Sequence, residues 1–297
     1  MPELPEVEVL ARHLAPLLIG KVIHGATVRR AKVIAPLSPL QLIRRVRGAT
    51  IQALSRRGKY LVFQLQPMPP KGECSTLLGH LGMTGRMYVQ PADRPLPRHA
   101  AVIFSLGRQN LVFEDQRYFG RITFDTAVLR RLGPEPLGPE FTAAYLRAAL
   151  QRSRQAVKVK LLDQSLVAGI GNIYANEALF RAGISPFLPA KELSSSQVHR
   201  LRQSIRLVLA EAIAGGSTVP LDWAGTQGKD RLFYFGRAAD TPDYYEERLR
   251  VYDRAGQPCA RCRHLLKRIV QGGRSTFFCP NCQARIPHRS RATGFKT

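Results

Sequence analysis

Two short Cys-x2-Cys pairs place the strongest constraint on how this chain can fold. The pairs are Cys259–Cys262 and Cys279–Cys282, and sixteen residues lie between them. Pairs at this interval are typical of a four-thiolate zinc site on a two-hairpin unit. Four thiolates fill a tetrahedral shell, so we predict one structural Zn²⁺ with no open position for catalysis. Two disulfides are the alternative, but the first residues lack the pattern of a secretion signal, and disulfides persist mainly in oxidising compartments.

The charge of the chain narrows the kind of partner it can bind. Its 297 residues include 45 Lys and Arg against 21 Asp and Glu, which gives a formal net charge of +24. The basic residues are spread along the chain, and such a field attracts polyanions. We therefore predict a nucleic-acid partner, with an anionic membrane surface as the less favoured alternative. The apolar runs are too short to span a bilayer, so we expect a cytoplasmic protein without a membrane partner.

The first part of the chain has the pattern of one helix followed by a β-rich region. Apolar side chains recur at nearly helical period over residues 6–18, and Gly20 is a stop signal. Short β-rich runs then alternate with turns, which favours an antiparallel sandwich or barrel over a βαβ sheet. The predicted strands cover residues 21–28, 50–54, 60–65, 87–89, 101–106, 111–113 and 121–124, with a short helix at 38–47.

Residues 133–141 mark a boundary between two domains. They contain three prolines and two glycines, which interrupt both helices and strands. The predicted helices beyond this linker cover residues 142–150, 155–163, 172–181, 190–193 and 195–214. We therefore predict an α+β fold with two domains: an N-terminal antiparallel β-sandwich with flanking helices (1–132) and a C-terminal helical domain (142–297). The second domain is divided into a helix-two-turn-helix at about 142–215, a weakly patterned region at about 216–245 and a zinc finger at about 250–285.

The turn before Asn172 is typical of an anion-binding site. Glycines stand at positions 169 and 171, and Asn172 is well placed to open the next helix. Exposed amides at a helix N-terminus bind anions readily, and Lys158 lies just upstream. The simpler alternative is that Asn172 is only an N-cap. Arg274 follows two glycines between the cysteine pairs, so a loop held by zinc could bring it to a phosphate as well.

Two Gly-rich stretches each contain an apolar side chain that could enter a base stack. Met83 lies in the first stretch, and Phe119 lies in the second, two residues after Arg117. Unstacking costs about a few kcal/mol per base step, so such a wedge must be apolar and rigidly held. The alternative is that both are core residues, since Met often fills gaps. The basic turn at residues 55–59 could likewise contact phosphates or be a solvated surface.

The chain begins Met1-Pro2-Glu3-Leu4-Pro5-Glu6, which admits two interpretations. If Met1 is removed, Pro2 carries a secondary amine, and an α-amine with a pKa near ~8 is partly neutral in the cell. An amine beside the proton-transferring carboxylates Glu3 and Glu6 is the pattern of covalent catalysis through an iminium. The alternative is a simple helix start, since Pro suits the first turn and Glu complements the helix dipole.

Taken together, these motifs resemble the bacterial formamidopyrimidine-DNA glycosylase family, the Fpg or MutM group of the Fpg/Nei superfamily. The resemblance covers nearly the whole chain, and its motifs occur in order. They are Met1–Glu8, Arg57-Gly58-Lys59-Tyr60, His80-Leu81-Gly82-Met83, Arg117-x-Phe119-Gly120, Gly169–Tyr174 and the cysteine finger with Gly273–Phe277.

The resemblance implies a bifunctional enzyme that removes oxidised purines, chiefly 8-oxoguanine and formamidopyrimidines, from duplex DNA and then nicks the strand by β,δ-elimination. Pro2 would attack C1′ of the damaged nucleotide, and Glu3 would shuttle protons with Glu6 in support. Lys59 would assist catalysis or contact the backbone near the lesion. The implied DNA-contacting residues are His99, Met83, Arg117, Phe119, Lys158, Asn172 and Arg274. The implied partner is damaged double-stranded DNA, bound by a monomer at the bacterial nucleoid.

Two departures from the family pattern limit what the resemblance implies. Gln116 and Tyr118 flank Arg117, where the family often has proline followed by basic-basic-aromatic residues. The region 217–245, where the family has its lesion-capping loop, is longer and ends in different residues, so we assign no base-recognition residue there. A Nei-type glycosylase for oxidised pyrimidines and a non-catalytic zinc-ribbon DNA-binding protein remain the alternatives. Comparing the excision of 8-oxoguanine opposite cytosine with that of thymine glycol would distinguish the Nei-type alternative. Strand cleavage would distinguish the non-catalytic alternative.

Overall fold

The structure is a computed structural model that describes residues 2–67, 74–217 and 249–284. The chain divides into two compact units. Unit 1 comprises residues 1–141, 163–171 and 206–243, and unit 2 comprises residues 142–162, 172–205 and 244–297. The weakly patterned region at 216–245 lies outside the described residues from position 218 onward.

The α-helices among the described residues are α1 Leu4–Leu18, α2 Pro39–Val46, α3 Ala127–Arg130, α4 Ala143–Gln151, α5 Val157–Leu161, α6 Asn172–Ala182 and α7 Ser195–Ser217. Short 3-10 helices cover Ala31–Ile34 and Ala190–Glu192. None of the helices in the described part of the chain is both long and apolar enough to cross a membrane.

The strands are β1 Gly25–Val28, β2 Thr50–Arg57, β3 Tyr60–Gln66, β4 Ser75–His80, β5 Gly85–Pro91, β6 Ala100–Ser105, β7 Gln109–Asp115, β8 Arg121–Thr123, β9 Lys267–Gln271 and β10 Arg274–Phe278. Unit 1 contains two four-stranded antiparallel sheets, with strand orders β1-β6-β7-β5 and β2-β3-β4-β8. The predicted α+β architecture with N-terminal antiparallel sheets is confirmed.

Helix α1 packs on the sheets of unit 1 through one apolar stripe. Val7, Leu10, Leu14 and Leu18 recur every three or four residues and are all buried, which places them on one helix face. They belong to a single core with residues of both sheets, including Phe63, Phe104 and Phe113. The helix ends before Gly20, whose φ of 83° lies in the left-handed region. This packing fixes the position of the N-terminal residues that precede the helix.

Among the described strands of unit 1, β4 is the one that the sequence pattern does not predict. It pairs with β3 on one side and β8 on the other, so it is a central strand of its sheet. Gly79 lies within it, and glycine normally weakens a strand, which hides the strand from pattern analysis. The tertiary structure supplies the reason, because a Cβ at Gly79 would lie 3.3 Å from Met87 Cε.

In unit 2, α6 packs against the cysteine finger. The finger is built on the β9–β10 hairpin, and its small core includes Phe180 of α6, Val251 and Phe277. The carboxylate of Glu177, also in α6, accepts hydrogen bonds from three successive backbone amides at residues 250–252, with N–O distances of 2.8–2.9 Å. Glu177 thereby anchors the segment that leads into the finger.

Candidate active site and nucleic-acid interface

Pro2 lies directly before α1, beside two buried carboxylates. Glu3 and Glu6 are 1% and 3% exposed, and Pro2 is also buried. The backbone N–H of Glu3 donates to Oε2 of Glu6 at 2.8 Å, which ties the start of the chain to the first helical turn. The hexapeptide is therefore a helix start, and this same turn holds both carboxylates close to the residue that would carry the amine.

The glycine turn at residues 169–171, which belongs to unit 1, fixes the Glu3 side chain. The backbone N–H of Gly171 donates to Glu3 Oε2 at 2.7 Å, and the N–H of Leu4 donates to Gly169 O at 3.0 Å. A Cβ at Gly171 would collide with the Glu3 carboxyl group, and a Cβ at Gly169 would lie 2.6 Å from Leu4 Cβ. Both glycines are therefore needed for close approach to the N-terminal residues, a function that the sequence did not suggest.

Lys59 lies in the two-residue turn between β2 and β3. Gly58 precedes it with a φ of 58°, as the first position of a type II′ hairpin turn requires. Lys59 itself is only 7% exposed. The N–H of Gly58 donates to Glu135 Oε1 at 2.7 Å, so a carboxylate from the linker segment holds the turn in place.

His80 is a neutral imidazole close to Lys59. Burial lowers its pKa to about 4, with further contributions from the charges of Lys59 and Arg121. Its Nδ1 accepts a hydrogen bond from the N–H of Gly82 at 3.1 Å, which is consistent with the neutral form. His80 pairs with Tyr60 and Arg121 on the neighbouring strands, so the sheet brings it to this position. The sequence showed this residue only as part of a family motif.

The predicted wedge residues lie on two loops of unit 1. Phe119 is 48% exposed, which excludes a core position for it, and Met83 is partly exposed. Arg117 is exposed, and its guanidinium carbon lies 5.4 Å from the centre of the Phe119 ring. His99 is partly exposed, and its Nδ1 lies 3.4 Å from the hydroxyl oxygen of Tyr118. The fold therefore brings a cation and an exposed ring together beside a histidine.

In unit 2, Lys158 and Asn172 converge on the residue next to Arg274. Lys158 Nζ and Asn172 Nδ2 both donate to the carbonyl oxygen of Ser275, at 3.3 and 2.9 Å. Lys158 is fully buried, so its charge faces the protein interior, while Arg274 is exposed at the start of β10. Gly272 and Gly273, at φ of 55° and 71°, form the turn before Arg274. Asn172 opens α6, as the pattern predicted.

The four cysteines of the finger form the site of one structural Zn²⁺. The ligand sulfurs of Cys259, Cys262, Cys279 and Cys282 all lie within 4.8 Å of one another. The N–H groups of Arg261 and Cys282 are directed at the sulfurs of Cys259 and Cys279, at 3.4 Å each, as expected around thiolate ligands. The fifth cysteine, Cys74, is exposed and lies in the other unit.

This α+β fold, with its four-cysteine finger and buried carboxylates next to Pro2, matches the DNA-repair glycosylases when it is compared with known families. Models of the formamidopyrimidine-DNA glycosylase N-terminal domain and H2TH domain match residues 1–122 and 132–222. A model of the zinc finger found in FPG and IleRS matches residues 256–285. The chain belongs to the formamidopyrimidine-DNA glycosylase family, as its motifs suggested.

Full-length relatives and solved structures agree with this assignment. The formamidopyrimidine-DNA glycosylases of Carboxydothermus hydrogenoformans and Chloroflexus aggregans are 41% and 42% identical, over 95% and 96% of this chain and 100% of theirs. Lactococcus lactis Fpg, non-covalently bound to AP-site DNA, has a TM-score of 0.81 at 31% identity and covers 95% of this chain and 100% of its own. The MutM protein of Thermus thermophilus has a TM-score of 0.77 at 36% identity, with 95% and 98% coverage.

The basic turn at residues 55–59 has a structural function that the sequence did not suggest. Arg56 donates to Glu8 at 2.7 Å and pairs with Glu135 at 2.8 Å, and Arg57 pairs with Glu135 at 2.9 Å. Burial alone would raise the pKa of Glu8, but hydrogen bonds from Arg56 and Arg12 hold this pKa below its ordinary value. Arg56 therefore links α1 to Glu135, and Arg57 binds the same Glu135 carboxylate. Only their spatial proximity to the two glutamates shows this.

Proposed function

We propose that this protein is a bifunctional DNA glycosylase and lyase whose nucleophile is the secondary amine of Pro2, exposed when Met1 is removed. The observation that carries the proposal is the fixed Glu3 carboxylate, which is buried, held by the Gly171 amide and adjacent in sequence to Pro2. A covalent mechanism needs an amine and a proton-transferring group at a fixed distance and in a fixed orientation, a relation that must not change between turnovers. Helix α1 and the glycine turn provide that relation.

The proposed reaction begins with attack of the Pro2 nitrogen on C1′ of the damaged nucleotide. The N–C1′ bond forms, the glycosidic bond breaks, and the base leaves with its bonding electron pair and takes up the proton that the Pro2 nitrogen loses. Glu3 donates a proton to the sugar ring oxygen, which opens the ring and gives an iminium. Because the amine is secondary, the iminium carries an obligatory positive charge that acidifies the C2′ hydrogens. Loss of such a hydrogen expels the 3′ phosphate by β-elimination, and δ-elimination then releases the 5′ phosphate.

Glu6 and Lys59 would support this chemistry from their buried positions. Glu6 accepts a hydrogen bond from the Glu3 backbone, so it holds the turn that carries both reacting residues. Lys59, in the turn between β2 and β3, would assist catalysis or contact the backbone near the lesion.

The DNA would be held by residues of both units while the damaged nucleotide is flipped out of the helix. Flipping is required because C1′ cannot be reached inside a stacked duplex. Met83, Arg117 and Phe119 would occupy the vacated space, with His99 beside them. Arg274 and Asn172 would contact the flanking phosphates, and the fully buried Lys158 would act there through the Ser275 carbonyl that it binds. The predicted division into residues 1–132, a linker at 133–141 and residues 142–297 is part of this proposal.

The proposed substrates are oxidised purines in duplex DNA. The solved complexes of related proteins contain carbocyclic 8-oxo-G for a MutM and Fapy-dG for Lactococcus lactis Fpg. Another complex of the Lactococcus lactis protein contains an oxidised pyrimidine, so thymine glycol is a necessary comparison. The expected order is faster excision of 8-oxoguanine opposite cytosine than of thymine glycol. The protein would act as a monomer in the bacterial cytoplasm.

Borohydride trapping tests the proposed mechanism, because hydride reduces the iminium to a stable amine and joins enzyme to DNA. The purified protein should trap on 8-oxoguanine duplex after intact-mass analysis has established that Met1 is absent. Pro2→Gly should lose trapping but retain most of its DNA affinity. If the protein has an unblocked N-terminus and forms no crosslink on every lesion tested, the enzyme assignment is refuted. Equal loss of trapping and binding in Pro2→Gly would instead make Pro2 a structural residue.

A further inference from the structure

The loop between β7 and β8 is closed around one buried carboxylate. Asp115 is fully buried, and its Oδ1 accepts from the Thr84 hydroxyl at 2.6 Å and from the Arg117 N–H at 3.1 Å. Its Oδ2 accepts from the N–H of Gly120 at 2.8 Å. The loop is therefore fixed at both ends, and the residues between Arg117 and Gly120 have a defined path.

Within this loop, Tyr118 adopts a left-handed backbone conformation. Its φ is 52°, which is uncommon for a residue other than glycine and persists only where the surroundings enforce it. The ring of Tyr118 is partly buried against the core of unit 1, while the next ring, Phe119, is 48% exposed. The unusual conformation thus separates two adjacent aromatic residues, one inside and one outside.

Two cations from another element flank these rings. The guanidinium carbon of Arg30 lies 5.2 Å from the centre of the Tyr118 ring, and Lys32 Nζ lies 5.8 Å from the centre of the Phe119 ring. Arg30 directly precedes the 3-10 helix Ala31–Ile34, and Lys32 lies within it. Both side chains are exposed. With Arg117, which lies over the Phe119 ring, three positive charges flank the two adjacent rings.

We propose that Arg30 and Lys32 contact DNA phosphates beside the point where Phe119 enters the base stack, and that Tyr118 is a positioning residue for Phe119. The proposal rests on the DNA-repair function above. The Phe119 ring can enter a stack, whereas Arg30 and Lys32 belong to a separate exposed element and would remain outside at the level of the backbone. Three like charges around two rings repel one another, and a nearby polyanion relieves that repulsion. The short 3-10 helix is therefore a further part of the DNA-binding surface.

The salt dependence of binding tests the phosphate contacts. Lys32→Gln and Arg30→Gln should each reduce the slope of log K against log [salt] for 8-oxoguanine duplex by about 0.9, the value for one phosphate contact. The matched control is Arg108→Gln, which removes an exposed charge in the turn that follows β6. Arg30 is hydrogen-bonded to Ala101 at the other end of β6, so the two positions are roughly 20 Å apart at ~3.4 Å per residue. If the Lys32→Gln and Arg30→Gln proteins both give the same slope as the Arg108→Gln protein, the proposed phosphate contacts are overturned.

Unstacking kinetics test the positioning role of Tyr118. A 2-aminopurine next to the lesion reports opening of the stack, and Tyr118→Ala should slow this phase about tenfold or more without changing the salt slope. Tyr118→Phe keeps the ring and should restore the wild-type rate. Wild-type unstacking by a folded Tyr118→Ala protein would overturn the role, as would failure of Tyr118→Phe to restore the rate. Borohydride trapping of the wild-type protein tests the proposed function separately. If the wild type is trapped while either of these outcomes is seen, only the role of Tyr118 is overturned.

Discussion

Replacing Gly171 by alanine is the sharpest test of how the fold positions the proposed proton donor. Gly171 does not have a positive φ, so alanine is compatible with its backbone conformation, and the effect is purely steric. The added Cβ would overlap the carboxyl group of Glu3, which accepts a 2.7 Å hydrogen bond from the amide of Gly171 itself. Either the carboxylate or the glycine turn must therefore move.

The size of the effect follows from the required displacement. Ordinary contact places a Cβ about 3.5–4 Å from neighbouring carbons, so the overlap demands a shift on the order of 1 Å. A 1 Å misplacement of a catalytic group can lower a rate by ~10²-fold, equivalent to about 2.7 kcal/mol in the activation barrier. Loss of the hydrogen bond to the Glu3 carboxyl group would add about 0.5–1.5 kcal/mol to the cost in stability.

Single-turnover excision and borohydride trapping on 8-oxoguanine duplex would measure this change. Gly171→Ala should trap ~10²-fold more slowly, whereas its DNA affinity should change little. The control is Gly25→Ala in β1, where a Cβ would meet nothing within 4 Å and the backbone is not left-handed. A folded Gly171→Ala protein that traps at the rate of the Gly25→Ala protein would refute the positioning argument.

Three further predictions concern the finger and the neutral histidine. Removal of Zn²⁺ by a chelator should unfold the finger and abolish DNA binding, with recovery on adding Zn²⁺; binding by protein shown to be metal-free would contradict this. Glu177→Ala should lower the free energy of unfolding by about 3 kcal/mol in urea titration, because one buried and two partly buried amides lose their acceptor. The folded pKa of His80, about 4, lies below the ordinary value of 6.5, so its stabilising contribution is complete above pH 6.5 and lost as the pH falls toward 4. Between pH 7 and pH 5, the free energy of unfolding of His80→Asn should therefore fall by about 2 kcal/mol less than that of the wild type. If the two proteins show parallel plots of unfolding free energy against pH, His80 is not a buried neutral imidazole.

Local patterns in the sequence were sufficient for most of the helices and for the zinc site. Apolar residues at helical spacing predicted α1, and the two cysteine pairs predicted the zinc site, because these signals depend only on neighbours in the chain. Strand β4 was missed because Gly79 interrupts its β-forming pattern, and the closest neighbour of a Cβ there, Met87 Cε, belongs to the next strand along the chain. A contact of that kind involves a partner in space and leaves no periodic signal.

The same distinction applies to the candidate site. The types of residue were evident from the sequence: an N-terminal proline with two glutamates, a glycine turn, wedge candidates and a basic finger loop. Their relations were not, since Gly171 meets Glu3 from 168 positions away and Glu135 pairs with Arg57 from 78 positions away. The neutral state of His80 likewise depends on burial and on charges from other strands.

By itself, the sequence determined the chemistry available to this protein: a possible secondary amine, adjacent carboxylates, four thiolates and a strong positive charge. The tertiary structure alone decided which of these groups are held in fixed positions and which face solvent. It buries Glu3 against a glycine turn, places Lys158 inside unit 2 and leaves Phe119 exposed between Arg117 and Lys32. The physical reason is that burial and close contact arise from distant segments of the chain, whereas composition and spacing report only on adjacent ones.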